Sequence, residues 1–257
     1  MQRRGKPSKP PSPGQRRISS GASLTVLLLL LTASPGCRAP QHANLQRFEF
    51  EQAQMGLPFR IVLYAESQAL ASTAARAAFA RVAALNQTFS DYEDDSELTK
   101  LSRSSGSGQA VKVSDELWRL LNVAETMSRR SGGAFDITVG PLVQVWRRAR
   151  RQRELPAPEF LAEVKARVGW EKIVLDPRAR TAKLLVPGMR LDFGSIAKGR
   201  ALDEALRILR QHGITRALVT GSGDMAIGDP PPGRLGWRIE LAPLDAPGAP
   251  PTQFLSL

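Results

Sequence analysis

Cysteine is all but missing from this chain. Cys37 is the only one in 257 residues, so no intramolecular disulfide framework can form and stability has to come from a packed core. Histidine is nearly as scarce. Only His42 and His212 occur, the first in a polar stretch and the second at a helix end, so no Cys–His pair supports a covalent thiol mechanism. Long apolar runs are missing too: Leu24 to Leu31 is too short to cross a bilayer core. Aromatic residues make up 6% of the sequence, and none interleaves the arginines at 147, 148, 150, 151 and 153. A nucleic-acid surface needs such a stacking platform, so that run reads as a solvated helix end or loop and nucleic acid is not an expected partner. There are no internal repeats.

Acidic residues are absent from the first 36 positions, where Arg3, Arg4, Lys6, Lys9, Arg16 and Arg17 precede the apolar stretch and Thr32-Ala33-Ser34-Pro35-Gly36. A basic start, a short apolar centre and a small-residue exit make a signal peptide. Cys37 follows directly. That position resembles a bacterial lipoprotein processing site, where the cysteine becomes the lipidated N-terminus. Ser34 stands where leucine is usual, and plain secretion with an incidental cysteine is the competing reading. Residues 1–36 are thus expected to be a lipoprotein-type leader and 37–47 a tether. The exported chain would be anchored through lipid on the periplasmic side of the inner membrane. Without the leader the formal charge of +12 falls to +6, because six positive charges leave with it.

Residues 48–257 read as one domain of mixed α/β (α+β) class. Strands fill Phe48 to Ala65, interrupted at Gly56-Leu57-Pro58. Ser67 to Phe89 reads as a long helix with Leu70, Ala74, Ala78, Val82 and Leu85 on its apolar side. An acidic turn, Phe89 to Leu98, leads into a short helix capped by Asp95 or Ser96, and a Ser/Gly loop covers 102–109. A helix starts at Ser114 and continues to about Arg130. The glycine-bracketed loop 131–141 follows, then a helix through Trp146. Residues 171–192 read as paired strands about a turn at Asp176-Pro177. A helix over Ala197–His212 presents Ala201, Leu202, Ala205, Leu206 and Leu209 on one face and stops at Gly213. Ala217 to Thr220 is a buried strand, Gly236 to Leu241 another, and Gln253 to Leu257 the start of a third.

The most informative stretch is Leu191-Asp192-Phe193-Gly194-Ser195-Ile196-Ala197-Lys198-Gly199. An apolar run stops at an aspartate, small residues follow, and a lysine falls in the first turn of a helix. Free backbone N–H groups and a cation at one point make an anion site, and phosphate is the anion this favours. An ordinary strand-turn-helix with a solvated lysine is the plainer alternative. Phe89–Asp95, Gly132–Gly140 and Gly221–Asp224 likewise place glycines and a few polar residues at the ends of apolar elements. Converging loops of this kind build small-molecule pockets.

Four motifs together carry a family resemblance. They are Phe89-Ser-Asp-Tyr-Glu-Asp-Asp-Ser-Glu-Leu98, Gly132-Gly-Ala-Phe-Asp-Ile-Thr-Val-Gly-Pro-Leu142, Leu191 to Gly199 and Gly221-Ser-Gly-Asp224. In this order and spacing they resemble the ApbE family of bacterial flavin transferases, over roughly residues 48–257. The resemblance implies transfer of the FMN part of FAD to a threonine of an acceptor protein, with magnesium as cofactor and AMP released. It also implies that Met55, Tyr92, Ala134, Phe135, Asp136, Asp192 and Lys198 contact FAD, with Tyr92 stacking on the dinucleotide. Ser195 would help hold magnesium, and Gly223 and Asp224 would lie near the pocket. Phosphoryl transfer depends mainly on positioning and charge neutralisation, which suits Lys198 at a helix start.

Two departures stand out. Ser222 occupies a position where a glycine is commoner, which matters only if that residue needs a positive φ. The resemblance also implies a further Ser-Gly-Asp turn, a His-Ile-Ile-Asp-Pro-like strand and an Asp-Ala-Leu-Ala-Thr-like helix beyond Leu257, the last completing the metal site. Without them the expected domain is partial, weakly stable and weak or inactive in catalysis, with open edges on the strands at 218–220 and 237–241. An FAD-binding or FAD-hydrolysing lipoprotein without an acceptor is the alternative function.

Overall fold

The computed structural model describes residues 44–243 and 249–257. The leader, Cys37, His42 and most of the tether lie outside these residues. Among the described residues no helix is long and apolar enough to cross a membrane. The chain opens with β1 (Gln46–Gln54), β2 (Leu57–Ala65), α1 (Gln68–Phe89) and α2 (Glu97–Arg103). Next come β3 (Val111–Lys112), α3 (Asp115–Arg130), α4 (Gly140–Gln152), α5 (Pro158–Lys165), β4 (Ile173–Asp176) and β5 (Thr181–Leu184). The last part holds α6 (Ala197–Gln211), β6 (Ala217–Gly221), β7 (Asp224–Ile227), β8 (Arg238–Leu241) and β9 (Gln253–Ser256).

The main sheet has the order β1-β2-β6-β7, every pair antiparallel. Phe59, Ile61 and Leu63 alternate along β2 and are fully buried, each worth roughly 1.5–3 kcal/mol of burial. Val219 stands opposite Ile61, and Gly221 opposite Phe59. A Cβ on Gly221 would meet the Phe59 ring at 3.1 Å, so only glycine lets the phenyl ring lie across the strand end. This register puts the β1–β2 turn and the β6–β7 turn at the same end of the sheet. The expected open edge on strand 218–220 is therefore not found: β6 is flanked by β2 and β7. Strand β8 pairs only with β9, in a separate ribbon whose β9 side chains are all exposed.

Helices α1 and α6 pack together through small residues. Ala71, Ala74, Ala75 and Ala78 on α1, and Ala197, Ala201 and Ala205 on α6, are buried, which lets the backbones approach closely. Leu70 is 36% exposed, and Ala71 takes the buried place expected for it. Across this interface runs a polar network. Glu204 is 4% exposed and accepts from Arg81 of α1 and Arg207 of its own helix, with Arg200 at 3.1 Å. Burial alone pushes the Glu204 carboxyl up. The hydrogen bonds from Arg207 and Arg81 and the charge of Arg200 outweigh it and hold the group at about 2.

Serine hydroxyls start three helices: Ser67, Ser96 and Ser114 each accept from a backbone N–H in the first turn. Ser96, not Asp95, is the cap of α2. Helix α4 runs past Trp146 to Gln152 and absorbs most of the arginine run. Helix α5 has no counterpart in the periodicity because only Val164 is buried on it. The paired strands expected over 171–192 end at Leu184; beyond it Arg190 makes a single parallel bridge with Val139.

Candidate functional site

A groove of about 540 Å³ opens between the β1–β2 turn, the end of α1, the loop after it, and the start of α6. Met55, Tyr92, Arg147 and Lys198 are among its lining residues. The β1–β2 turn has both central residues left-handed, Met55 at φ 52° and Gly56 at φ 75°. This is the twist a two-residue hairpin needs, at a cost of about 1 kcal/mol for the non-glycine residue. Ser222 and Gly223 repeat it in the β6–β7 turn, at φ 52° and 92°. The serine does sit where a positive φ is required, so its departure from glycine carries strain.

The loop bearing Tyr92 is fixed from within. Ser90 Oγ accepts from the N–H groups of Tyr92 and Glu93, and the Ser90 carbonyl accepts from the hydroxyls of Ser96 and Thr99. Tyr92 itself is 72% exposed. Its ring carries the Arg147 guanidinium 4.4 Å from the centroid. Arg147 also donates to Asp91 Oδ2 at 2.7 Å and lies 3.6 Å from Asp192 Oδ2. Arg190 donates to the Asp91 carbonyl at 2.7 Å. Arg147 is thus a structural centre of the groove rather than part of a solvated basic run. Its placement follows from Gly140, two helical turns earlier, where a Cβ would stand 2.5 Å from the Arg190 carbonyl oxygen. That close approach sets the rotation of α4 and turns Arg147 inward.

At the start of α6, Lys198 lies 3.4 Å from Asp224 of the β6–β7 hairpin. Ile196 and Ala197 donate to the Phe193 carbonyl, but the N–H groups of Lys198 and Gly199 have no acceptor among the described residues. Two unsatisfied amides and a lysine at one helix end form an anion-binding corner.

The other expected site residues behave differently. Asp192 is 9% exposed and uses Oδ1 to accept from the Gly194 N–H at 2.7 Å, while its own N–H donates to Ile137. Asp136 Oδ1 accepts from the N–H and hydroxyl of Thr138, each at 2.7 Å. Both aspartates organise turns, and Ala134, Phe135 and Asp136 do not line the groove. They support it indirectly, through the Ile137–Asp192 hydrogen bond.

Ser195 is exposed, and among the described residues no three His, Cys, Asp or Glu side chains cluster as a metal site. Three of the carboxylates near the groove face cations, Asp91 and Asp192 against Arg147 and Asp224 against Lys198, which leaves Glu93 as the one lining carboxylate without an ion-pair partner among the described residues. A magnesium ion needs carboxylate or phosphate oxygens that are not already neutralised. These residues do not by themselves fit it.

Fold and groove together define an α+β domain with a lysine-bearing groove beside an aromatic–arginine pair. A family model of the ApbE family matches residues 55–256, and the chain belongs to that family. It is 32% identical over 145 residues to the FAD:protein FMN transferase of Haemophilus influenzae, covering 55% of this chain and 42% of that protein. The protein of the same description from Treponema pallidum is 28% identical over 206 residues, 78% of this chain and 56% of its own. The crystal structure of the ApbE protein of Thermotoga maritima superposes with a TM-score of 0.72 at 26% identity, covering 82% of this chain and 68% of that one. The chain spans about half the length of the curated relatives it matches.

Proposed function

We propose that the groove binds FAD and that the chain is the FAD-binding part of a FAD:protein FMN transferase. The observation that carries this reading is the corner at α6, where Lys198, with its own backbone N–H free of an acceptor among the described residues, lines the groove that also contains Tyr92 and Arg147. A dinucleotide has what this arrangement recognises: a doubly charged diphosphate and a flat ring at each end. The diphosphate would meet Lys198 and the helix start, and a ring would lie against Tyr92 on the face opposite Arg147.

In the transfer, a threonine hydroxyl of an acceptor protein attacks the FMN phosphorus. The bond from that phosphorus to the bridging oxygen breaks, AMP leaves with that oxygen, and the hydroxyl proton is lost. Lys198 offsets charge as it shifts onto the leaving phosphate, which is the main task of a protein in such a step. No step is assigned to magnesium on these residues. The lack of a carboxylate cage among the described residues favours, as a second reading, a chain that binds FAD without transferring it.

Titration of FAD followed by flavin fluorescence tests the binding. Saturable quenching that weakens about tenfold in Lys198→Ala supports it, and no change in fluorescence at millimolar FAD overturns it. Mass spectrometry of a threonine-bearing acceptor after incubation with FAD separates transfer from binding alone.

The leader extends the proposal to an exported protein anchored by lipid through Cys37, on the periplasmic side of the inner membrane. Incorporation of a labelled fatty acid that disappears in Cys37→Ser supports the anchor. Equal partitioning of both forms to the soluble fraction would overturn it.

A further inference from the structure

On the other side of α4 lies a second groove, of about 500 Å³, to which four separate segments contribute an arginine. Arg103 comes from α2, Arg148 from α4, Arg167 from the turn after α5, and Arg190 from the bridge segment. No carboxylate lines it. Arg103 and Arg167 are held by Asp94 and Glu163, both outside the lining. Among the described residues neither Arg148 nor Arg190 has a carboxylate partner. Gly188 gives Arg167 its place: a Cβ there would stand 3.3 Å from the arginine Cδ, so the side chain lies directly along the backbone.

Beneath the guanidinium groups runs an apolar floor. Val164 and Met189 are buried in it, and Phe160 remains 42% exposed. A merely solvated basic surface does not enclose such a strip. The wall's backbone amides are already in use: Leu191 donates to Ser102 Oγ, Met189 to the Val186 carbonyl, and Ser105 to the Ser102 carbonyl. A compact phosphate is usually held by converging backbone N–H groups, and this groove offers none of these three. It offers guanidinium charge from four segments along an apolar strip. Among the described residues the fork of Arg148 is free, while Arg103, Arg167 and Arg190 are held by Asp94, Glu163 and the Asp91 carbonyl. This matches carboxylates spaced along a polypeptide with apolar residues between them.

We infer that this groove docks an acidic, partly apolar segment of the acceptor protein. The assignment to the acceptor rests on the transfer reading; the charge and shape of the ligand do not. Position supports it. Both grooves border α4, with Arg147 lining one and the next residue, Arg148, the other. A chain seated on the arginines therefore reaches the flavin groove within a few residues.

The test measures binding without FAD. A short fluorescein-labelled peptide alternating Asp or Glu with Leu or Phe is titrated with the whole chain by anisotropy. The same peptide with Asn and Gln in place of the acids is the control. The acidic peptide binds at least about tenfold tighter than the control, and added salt weakens it. Arg148→Glu and Arg167→Glu each reduce its binding about tenfold, while their FAD titrations and melting curves match the parent. Arg148→Lys, which keeps the charge but lacks the planar fork, recovers only part of the binding lost in Arg148→Glu. Equal affinity for the acidic and amide peptides overturns the inference, as does unchanged binding in both Glu variants. Displacement of the peptide by an equal concentration of inorganic phosphate also overturns it and marks a phosphate site instead. If FAD fails to bind while the peptide binds, the flavin reading and with it the assignment to the acceptor are overturned, while the acidic, partly apolar ligand stands.

Discussion

The guanidinium of Arg147 lies 4.4 Å over the ring of Tyr92. An exposed tyrosine on a loop is otherwise free to turn away, and a cation–π contact of about 0.5–1 kcal/mol biases it toward the groove. The same arginine holds Asp91, so one side chain orients two parts of the wall.

Arg147→Ala should therefore weaken FAD binding about tenfold, and Arg147→Lys should not restore it, because a lysine lacks the planar fork. Fluorescence titration of both variants is the check. Full affinity in the lysine variant would show that charge alone matters.

The Lys198–Asp224 pair predicts an effect of opposite sign. Asp224 competes with the ligand's phosphates for the lysine at 3.4 Å. Asp224→Asn should tighten FAD binding by a few fold at low ionic strength, with the gain fading as salt is raised. Weaker binding in this variant would mean that Asp224 positions the lysine instead of competing for it.

Glu204 predicts how stability responds to acid. Its folded carboxyl is held down at about 2 against an ordinary 4.5, so its contribution is fully present above 4.5 and lost as pH falls towards 2. A shift of that size corresponds to roughly 3 kcal/mol. Denaturant unfolding at neutral pH and at about pH 3 should show the loss in the parent and a smaller one in Glu204→Gln. Parallel pH profiles for the two would contradict the assignment.

Ser222 predicts a stabilising substitution. At φ 52° it sits where only glycine is at ease, and Ser222→Gly should raise stability by about 0.5–1 kcal/mol. Met55 shares the conformation but also lines the groove, so Met55→Gly should trade FAD affinity for the same gain. Thermal melts with FAD titrations separate the two cases.

Magnesium chloride alone should leave the melting temperature unchanged, since Asp91, Asp192 and Asp224 already face cations and Glu93 by itself is a single ligand. A clear rise without nucleotide would reveal a metal site that these residues do not display.

Much of this architecture was legible in the sequence because local chemistry and packing agree there. Two helices start at Ser67 and Ser114 as read, the helix over 197–212 buries the face its spacing marks, and Met55, Tyr92 and Lys198 line one groove. Arg147 was hidden for a physical reason. A run of arginines looks alike on every face of a helix, and it is the packing of Gly140, Pro141 and Ala149, buried on α4, that decides which one faces the groove. Asp136 and Asp192 each accept from the backbone two residues on, a local role that in sequence looks the same as facing a ligand. Strand β7 escaped notice because four residues after a turn carry too little alternation to mark an element.

Asp91 is held from two sides. Its carboxylate takes Arg147, which faces one groove, and its carbonyl takes Arg190, which lines the other. Occupancy on either side that displaces this residue must alter affinity on the far side, and by thermodynamic reciprocity the factor is the same in both directions. The two cavities are thus joined at one residue, through which a ligand in either would be felt in the other.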